Sequence, residues 1–287
     1  MAIRKRGRRA ASAHPTGADG GGTLVAGSAL GSEGGPLAKA EQGRRRRSIG
    51  DLGPILLLRA AHPRQALLTA LGLAIAAALA GRPAREAGLV FATVLVGQAI
   101  LGWHNDLVDR ERDARHDTAG KPVASARIDA GTVWFSLACG LLLVVPLSLS
   151  NGLVAGCSYL VAVAIGLLGN VALRRGLLSW LPWAASFALF PAFLSYGGWG
   201  GGDTFAEPFG APPEISMTVL AALLGVGVHV LCALPGLVGD RADGYRSVPL
   251  RIALKTGATK LLIISALYTA LVLVALAVVG SSVGLAQ

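Results

Sequence analysis

The chain has 287 residues, 53% of them hydrophobic and only 15% charged, with a mean hydropathy of +0.59. That balance excludes an ordinary soluble domain, which carries many more charges. The net charge of +10 would point to nucleic acid in a soluble protein, but here the positions of the charges fit membrane orientation and no nucleic-acid partner is expected.

Residues 1–50 are Gly, Ala, Ser and Arg with almost no large apolar groups, the composition of a disordered tail. Arg44 to Arg47 form a basic run that suits anionic lipid headgroups or simply helps set topology. No apolar core follows the early basic residues, so a cleaved signal is not expected. From residue 51 onwards come seven apolar blocks of about 17 to 25 residues, long enough to cross a bilayer as helices. They lie at roughly 65–81, 87–104, 131–149, 152–172, 178–198, 216–235 and 259–280. The expected fold over 51–287 is therefore all-α, a polytopic transmembrane helical bundle with about seven spans in two pseudo-repeated halves. Cys139, Cys157 and Cys232 each stand alone inside a span and read as small packing residues without disulfide or metal. Trp180, Trp183, Tyr196 and Trp199 flank the fifth span as an interfacial belt.

Basic residues set the orientation. Residues 1–64 hold 12 Lys and Arg, 105–130 hold five, Arg174 and Arg175 add two, and 236–260 hold five; the opposite side has only Arg82 and Arg85. By the positive-inside rule the N-terminus and those three loops are cytoplasmic. Loop 199–215, with Asp203, Glu207 and Glu214 and no Lys or Arg, suits the outer side.

The second span runs into Asn105, Asp106, Asp109 and Asp113. At about 100° per residue on a continuing helix, Asp109 and Asp113 lie roughly 40° and 80° around from Asn105, so one narrow face carries an amide and two carboxylates. Clustered carboxylates repel unless a cation sits between them, and hard oxygens at a membrane edge suit Mg²⁺ and phosphate. The structural alternative is a solvated loop in which these acids pair with Arg110, Arg112 and Arg115. A second acid-bearing stretch, Gly236 to Pro249 with Asp240 and Asp243, follows the sixth span on the same side, as if two halves build one site. His229 lies 11 residues before Asp240, nearly on the same face of an unbroken helix, although Pro235 interrupts it. As an ionisable residue within a span it is a candidate cavity residue, beside the reading of a neutral histidine bonded to a neighbouring helix. Asn170 has similar standing, and His104 reads as an interfacial residue.

On these residues the chain resembles the UbiA superfamily of intramembrane prenyltransferases, of the actinobacterial type. Asn105, Asp106, Asp109 and Asp113 match every position of the family's N-D-x-x-D-x-x-x-D motif, and Lys121 to Ile128 look like its R-P-I-P-S-G-R-I continuation. Gly239, Asp240, Arg246, Val248 and Pro249 are similar to the family's G-D-x-x-x-G-x-R-T-L-P, and Leu178 to Pro182 with Leu189 to Phe193 resemble its fifth helix. The resemblance covers about 55–280. It implies a Mg²⁺-dependent enzyme of the cell membrane that ionises a polyprenyl diphosphate and passes the prenyl group to a lipophilic or aromatic acceptor. It assigns the metal to Asn105, Asp106, Asp109, Asp113, Asp240 and Asp243, with Asp109, Asp113 and Asp240 catalytic. Lys121, Arg127, Arg174 and Arg246 become candidates for the diphosphate, Arg being suited to bidentate phosphate contacts, and Asn170 and His229 for substrate binding. Two departures stand out. Gly236 occupies the place of the first acid of the family's D-x-x-x-D, and the seventh span is the last where family members generally have nine. A truncated or degenerate member without turnover is therefore the alternative within the same fold. A transporter fits less well, because its acids belong near mid-membrane.

Overall fold

The computed structural model describes residues 49–116, 120–198 and 212–283. Among them every regular element is helical: α1 Gly53–Ala60, α2 Pro63–Leu79, α3 Ala84–Val108, α4 Arg110–Arg115, α5 Ala130–Leu149, α6 Leu153–Val171, α7 Leu181–Ala188, α8 Phe190–Ser195, α9 Ile215–Ala233, α10 Leu237–Ala242, α11 Val248–Thr256 and α12 Ala258–Val283. The tail expected over 1–50 lies outside the described residues, Arg44 to Arg47 included, save for the start of a 3-10 turn at Ile49–Asp51. Asp203, Glu207 and Trp199 also lie outside them.

All seven apolar blocks are helical, but they are not equivalent. Five helices are long and apolar enough to span: Ala84–Val108, Ala130–Leu149, Leu153–Val171, Ile215–Ala242 and Ala258–Ser282. The first and fifth blocks are the shorter apolar helices Pro63–Leu79 and Leu181–Ser195. Proline opens each of these pieces, at Pro63 in α2 and in the first turns of α7 and α8 as Pro182 and Pro191, where its missing N–H costs nothing. Asp129 starts α5 as a cap, its side chain accepting from the Thr132 N–H at 3.2 Å.

The long helix α3 is the hub, packed against α2, α5 and α6. Its buried residues Val90, Val94 and Ile100 meet Tyr159 of α6 and Phe193 of α8 in one core, with the Tyr159 and Phe193 rings 4.9 Å apart. A second, small core of Leu56, Ala60, Val123, Ile128 and Val133 clamps α1 and the segment after Lys121 onto the acid end of α3. Trp103 secures this by donating from Nε1 to the Leu57 carbonyl at 2.9 Å. Gly102 is required there, because a Cβ would sit 2.6 Å from the Ala61 carbonyl carbon. The other side of the molecule is α9, against α7 and α12. The last helix α12 has the highest mean hydropathy of the five, 2.7, yet only 11% of its most apolar window is buried. Its exposed Leu267, Leu271 and Val278 suit hydrocarbon. Cys139, Cys157 and Cys232, expected as packing residues, are exposed rather than buried.

Candidate functional site

Helix α3 stops at Asp109 and α4 resumes one residue later, but the Asp109 N–H still bonds the Asn105 carbonyl at 2.9 Å and the Asp113 N–H the Asp109 carbonyl at 2.8 Å. The helical path is kept, and with it the face expected from the spacing. Asn105 donates to Asp109 Oδ2 at 3.2 Å. Asp106, Asp109 and Asp113 are all buried, at 2%, 6% and 7% exposure.

Their partners are not Arg110, Arg112 and Arg115. Asp106 is bonded by Lys121 and by His62 Nε2, the latter at 2.8 Å, while its second oxygen, Oδ2, is buried without a partner. Asp109 pairs with Arg174, and among the described residues Asp113 has only a long contact to Lys121 at 3.7 Å. Burial raises the pKa of Asp113 above the usual carboxylate range, Lys121 pulls it back, and Asp109 and Asp106 add to the rise.

Arg112 reaches across to the second motif. Its guanidinium bonds Asp240 at 2.5 Å and Asp243 at 2.7 Å, joining α4 to α10. His116 adds a contact to Asp243 at 3.0 Å. Burial alone would lower the Arg112 pKa, but the bond to Asp243 and the attraction of Asp240 win and raise it. The bond to Arg112, aided by His116, holds Asp243 below the usual carboxylate range. Arg174 is likewise raised, its burial outweighed by Asp109 and Tyr245.

Tyr245 is the residue that the spacing argument overlooks. Arg112, Arg175 and Arg174 lie 4.9, 5.5 and 6.0 Å from its ring centre, and Arg174 donates to its hydroxyl at 3.2 Å. An aromatic between two acids and Arg246 on the basic side was the available signal. His62 was also overlooked. It is left-handed (φ 52°), one of two described non-glycine residues with positive φ, held there by its bond to Asp106, with Lys121 Nζ 3.1 Å from the same ring nitrogen.

The other expected residues are placed differently. Arg127 pairs with Asp51 and bonds the Gly50 carbonyl at 3.3 Å. The Arg246 side chain is exposed, and its backbone N–H bonds the Arg175 carbonyl at 2.8 Å. Pro235 does interrupt the helix, through a 3-10 turn at Leu234–Gly236 between α9 and α10. His229 is buried, 3.1 Å from Ser179 Oγ and 5.7 Å from the Trp183 ring. Asn170 donates to the Leu101 carbonyl at 3.1 Å and contacts His104 at 3.3 Å, so His104 faces inward.

Behind the acids is a cavity of about 210 Å³ bounded by α2, α3, α6, α7 and α9, with His62, Asn105 and Asn170 towards the acid end and Trp183 and Phe187 deeper. Among the described residues no three His, Cys, Asp or Glu converge as a ready metal cage. What is present is a set of hard oxygens on two helix ends, each held by a cation of the chain.

These features define an all-helical protein of the membrane with two acid clusters joined by Arg112 and, beside the first, an internal cavity lined by Asn105 and His62. The family model of the UbiA prenyltransferases matches residues 66–286, and the chain belongs to that family. It is 25% identical over 182 residues to the chloroplastic chlorophyll synthase of Arabidopsis thaliana, which covers 61% of this chain and 46% of that protein. The chain thus spans about half the length of the curated relative it matches. Solved structures of a UbiA homolog from Archaeoglobus fulgidus share its fold. The form bound to GPP and Mg²⁺ has a TM-score of 0.58 at 20% identity, covering 79% of this chain and 87% of that one. The form bound to DMAPP and Mg²⁺ has a TM-score of 0.57 at 18% identity, covering 78% and 87%.

Proposed function

We propose that this chain transfers a prenyl group from a polyprenyl diphosphate to a lipophilic or aromatic acceptor inside the membrane. One observation carries the reading: two acid-bearing helix ends are cross-linked by Arg112, and the first of them, through Asn105 and His62, adjoins a cavity between apolar helices. The ligands of the homolog, GPP or DMAPP with Mg²⁺, agree with it. The positive-inside pattern puts these helix ends on the cytoplasmic side of the cell membrane, and residues 51–287 form the transferase domain.

The donor set fits Mg²⁺. That ion takes hard oxygens, and it needs only one or two carboxylates when phosphate and water complete its shell, so a three-acid cage is not required. Asn105, Asp109 and Asp113 on one side and Asp240 on the other would hold it, and its charge would ease departure of the diphosphate. Arg112, Arg174 and Lys121 stand beside these acids and are placed to turn to phosphate oxygens. Asp106, the most buried acid, we read as the anchor of Lys121 and His62. Asp243 we read as a second anchor for Arg112. In the transfer the allylic C–O bond breaks with its electron pair left on diphosphate. The acceptor supplies the pair for the new bond and loses a proton. The apolar walls keep water from the cation.

Gly236 favours a second reading, a protein that binds the diphosphate without turning it over, since the α10 side lacks one acid of the family motif. Membranes carrying the full chain, incubated with labelled geranyl diphosphate with and without Mg²⁺, test both. The first reading expects Mg²⁺-dependent diphosphate release that Asp109→Ala abolishes. Binding without release supports the second, and release unchanged by Asp109→Ala overturns the first.

A further inference from the structure

The cavity is chemically unlike the acid-bearing helix end beside it. Its lining includes no Lys, Arg, Asp or Glu among the described residues; besides the Trp183 indole and the Cys232 thiol, the polar groups are Gln65, Gln98, Asn105, Asn170, Ser186 and His62. Most of these are committed. His62 is bonded to Asp106, Asn105 to Asp109, Asn170 to the Leu101 carbonyl, and Ser186 to the Ala162 carbonyl at 2.9 Å. Gln65 has a weak contact at 3.8 Å from Cys232 Sγ. Gln98 is different. It sits in the middle of α3, is 8% exposed, faces the cavity, and no hydrogen bond joins its amide to another described residue.

An amide among apolar helices without a partner is costly. It also offers two donors and an acceptor to anything that enters. Gln98 precedes Asn105 by seven residues, two helical turns, so it lies on nearly the same face about 10 Å below the acid end. A flat ring extending from the acid end towards Trp183 and Phe187 passes it. A carboxylate or phosphate on that ring would be desolvated with no Lys or Arg among the described lining residues to meet it, a heavy penalty, whereas a hydroxyl or carbonyl would find the amide.

We propose that Gln98 determines acceptor specificity and that the acceptor enters uncharged, presenting a hydroxyl or carbonyl oxygen to this amide. The inference deepens the transfer reading and rests on it for the word acceptor, but the binding preference is tested without turnover. Two probes that differ chiefly in charge are 4-hydroxybenzoate and its methyl ester. The full chain in nanodiscs is titrated with each at pH 7.5, following tryptophan fluorescence, with empty nanodiscs and Trp183→Phe as controls for signal from the cavity. The ester is expected to bind at least tenfold tighter than the acid. Gln98→Leu, which matches the side chain's size and removes only the amide, is expected to weaken ester binding about tenfold, and Gln98→Asn to restore part of it. Unchanged thermal midpoints separate this loss from misfolding, and Gln65→Leu, at the weakly bonded amide, is expected to weaken it less. Equal or tighter binding of the acid, no cavity signal from either probe, or Gln98→Leu binding like the parent overturns the proposal. Gln98-dependent ester binding without diphosphate release would sink the transfer reading alone. Release with no preference between the probes would sink this inference alone.

Discussion

The two acid-bearing helix ends face each other but are built differently. The end of α3 and the short α4 that continues it carry three buried acids, each held by a cation from elsewhere in the chain: Lys121 for Asp106 and, more distantly, Asp113, and Arg174 for Asp109. The α10 end carries two acids that share one guanidinium, Arg112, and has Gly236 where family members have a further acid. One side is rich in carboxylates and braced by Lys121 and Arg174. The other is sparse and borrows its brace from the first, so the second acid cluster is positioned by the first rather than by its own helix.

The comparison can be broken at several points. Asp109→Ala removes a carboxylate from the rich side and frees Arg174, and diphosphate release from labelled geranyl diphosphate should fall about 10²- to 10³-fold. A drop smaller than tenfold would move the chemistry away from this helix end. Arg112→Met leaves Asp240 and Asp243 without their common partner. It should cost about 1–3 kcal/mol and lower the thermal midpoint in detergent by several degrees, whereas Arg110→Met should leave the midpoint unchanged. Gly236→Asp adds an acid to the sparse side. A Cβ there meets nothing within 4 Å, so folding should be unaffected and Mg²⁺ affinity, read by calorimetry, should rise by about tenfold; no rise would mean that Gly236 does not face the metal.

The smallest effect concerns pH. Asp243 is held below the usual carboxylate range by Arg112 and His116. A depressed folded pKa stabilises above the unfolded value of about 3.9 and is lost as pH falls through the lower, folded one. The thermal midpoint should therefore decline below about pH 4, and Asp243→Asn should flatten that decline.

Much of the first helix end was legible from spacing alone. The 40° and 80° offsets survive because backbone bonds bridge the interruption at Asp109. The counter-ions were not legible. Arg112 was expected beside its own acids and instead bonds residues 128 and 131 positions away, a pairing between α4 and the α10 end that no local pattern foretells. His62 was hidden for a similar reason. It reaches Asp106 because Gly102 lets the Ala61 backbone touch α3, and a glycine in an apolar span carries no sign of which chain will approach it. The break in the fifth block was partly legible in Pro182 and Pro191, which lie inside the apolar run 178–198.

The Arg112 bridge also bears on how the protein is made. Its partner Asp240 lies 128 residues further along the chain, and synthesis proceeds at about 5–20 residues per second. The first acid cluster therefore leaves the ribosome roughly 6 to 26 seconds before its brace can close. During that interval Arg112 has only its neighbours and the lipid surface for company. Completion of α10 then becomes the event that locks the two halves together, and a ribosome that stalls before Asp240 releases a chain with this clasp undone.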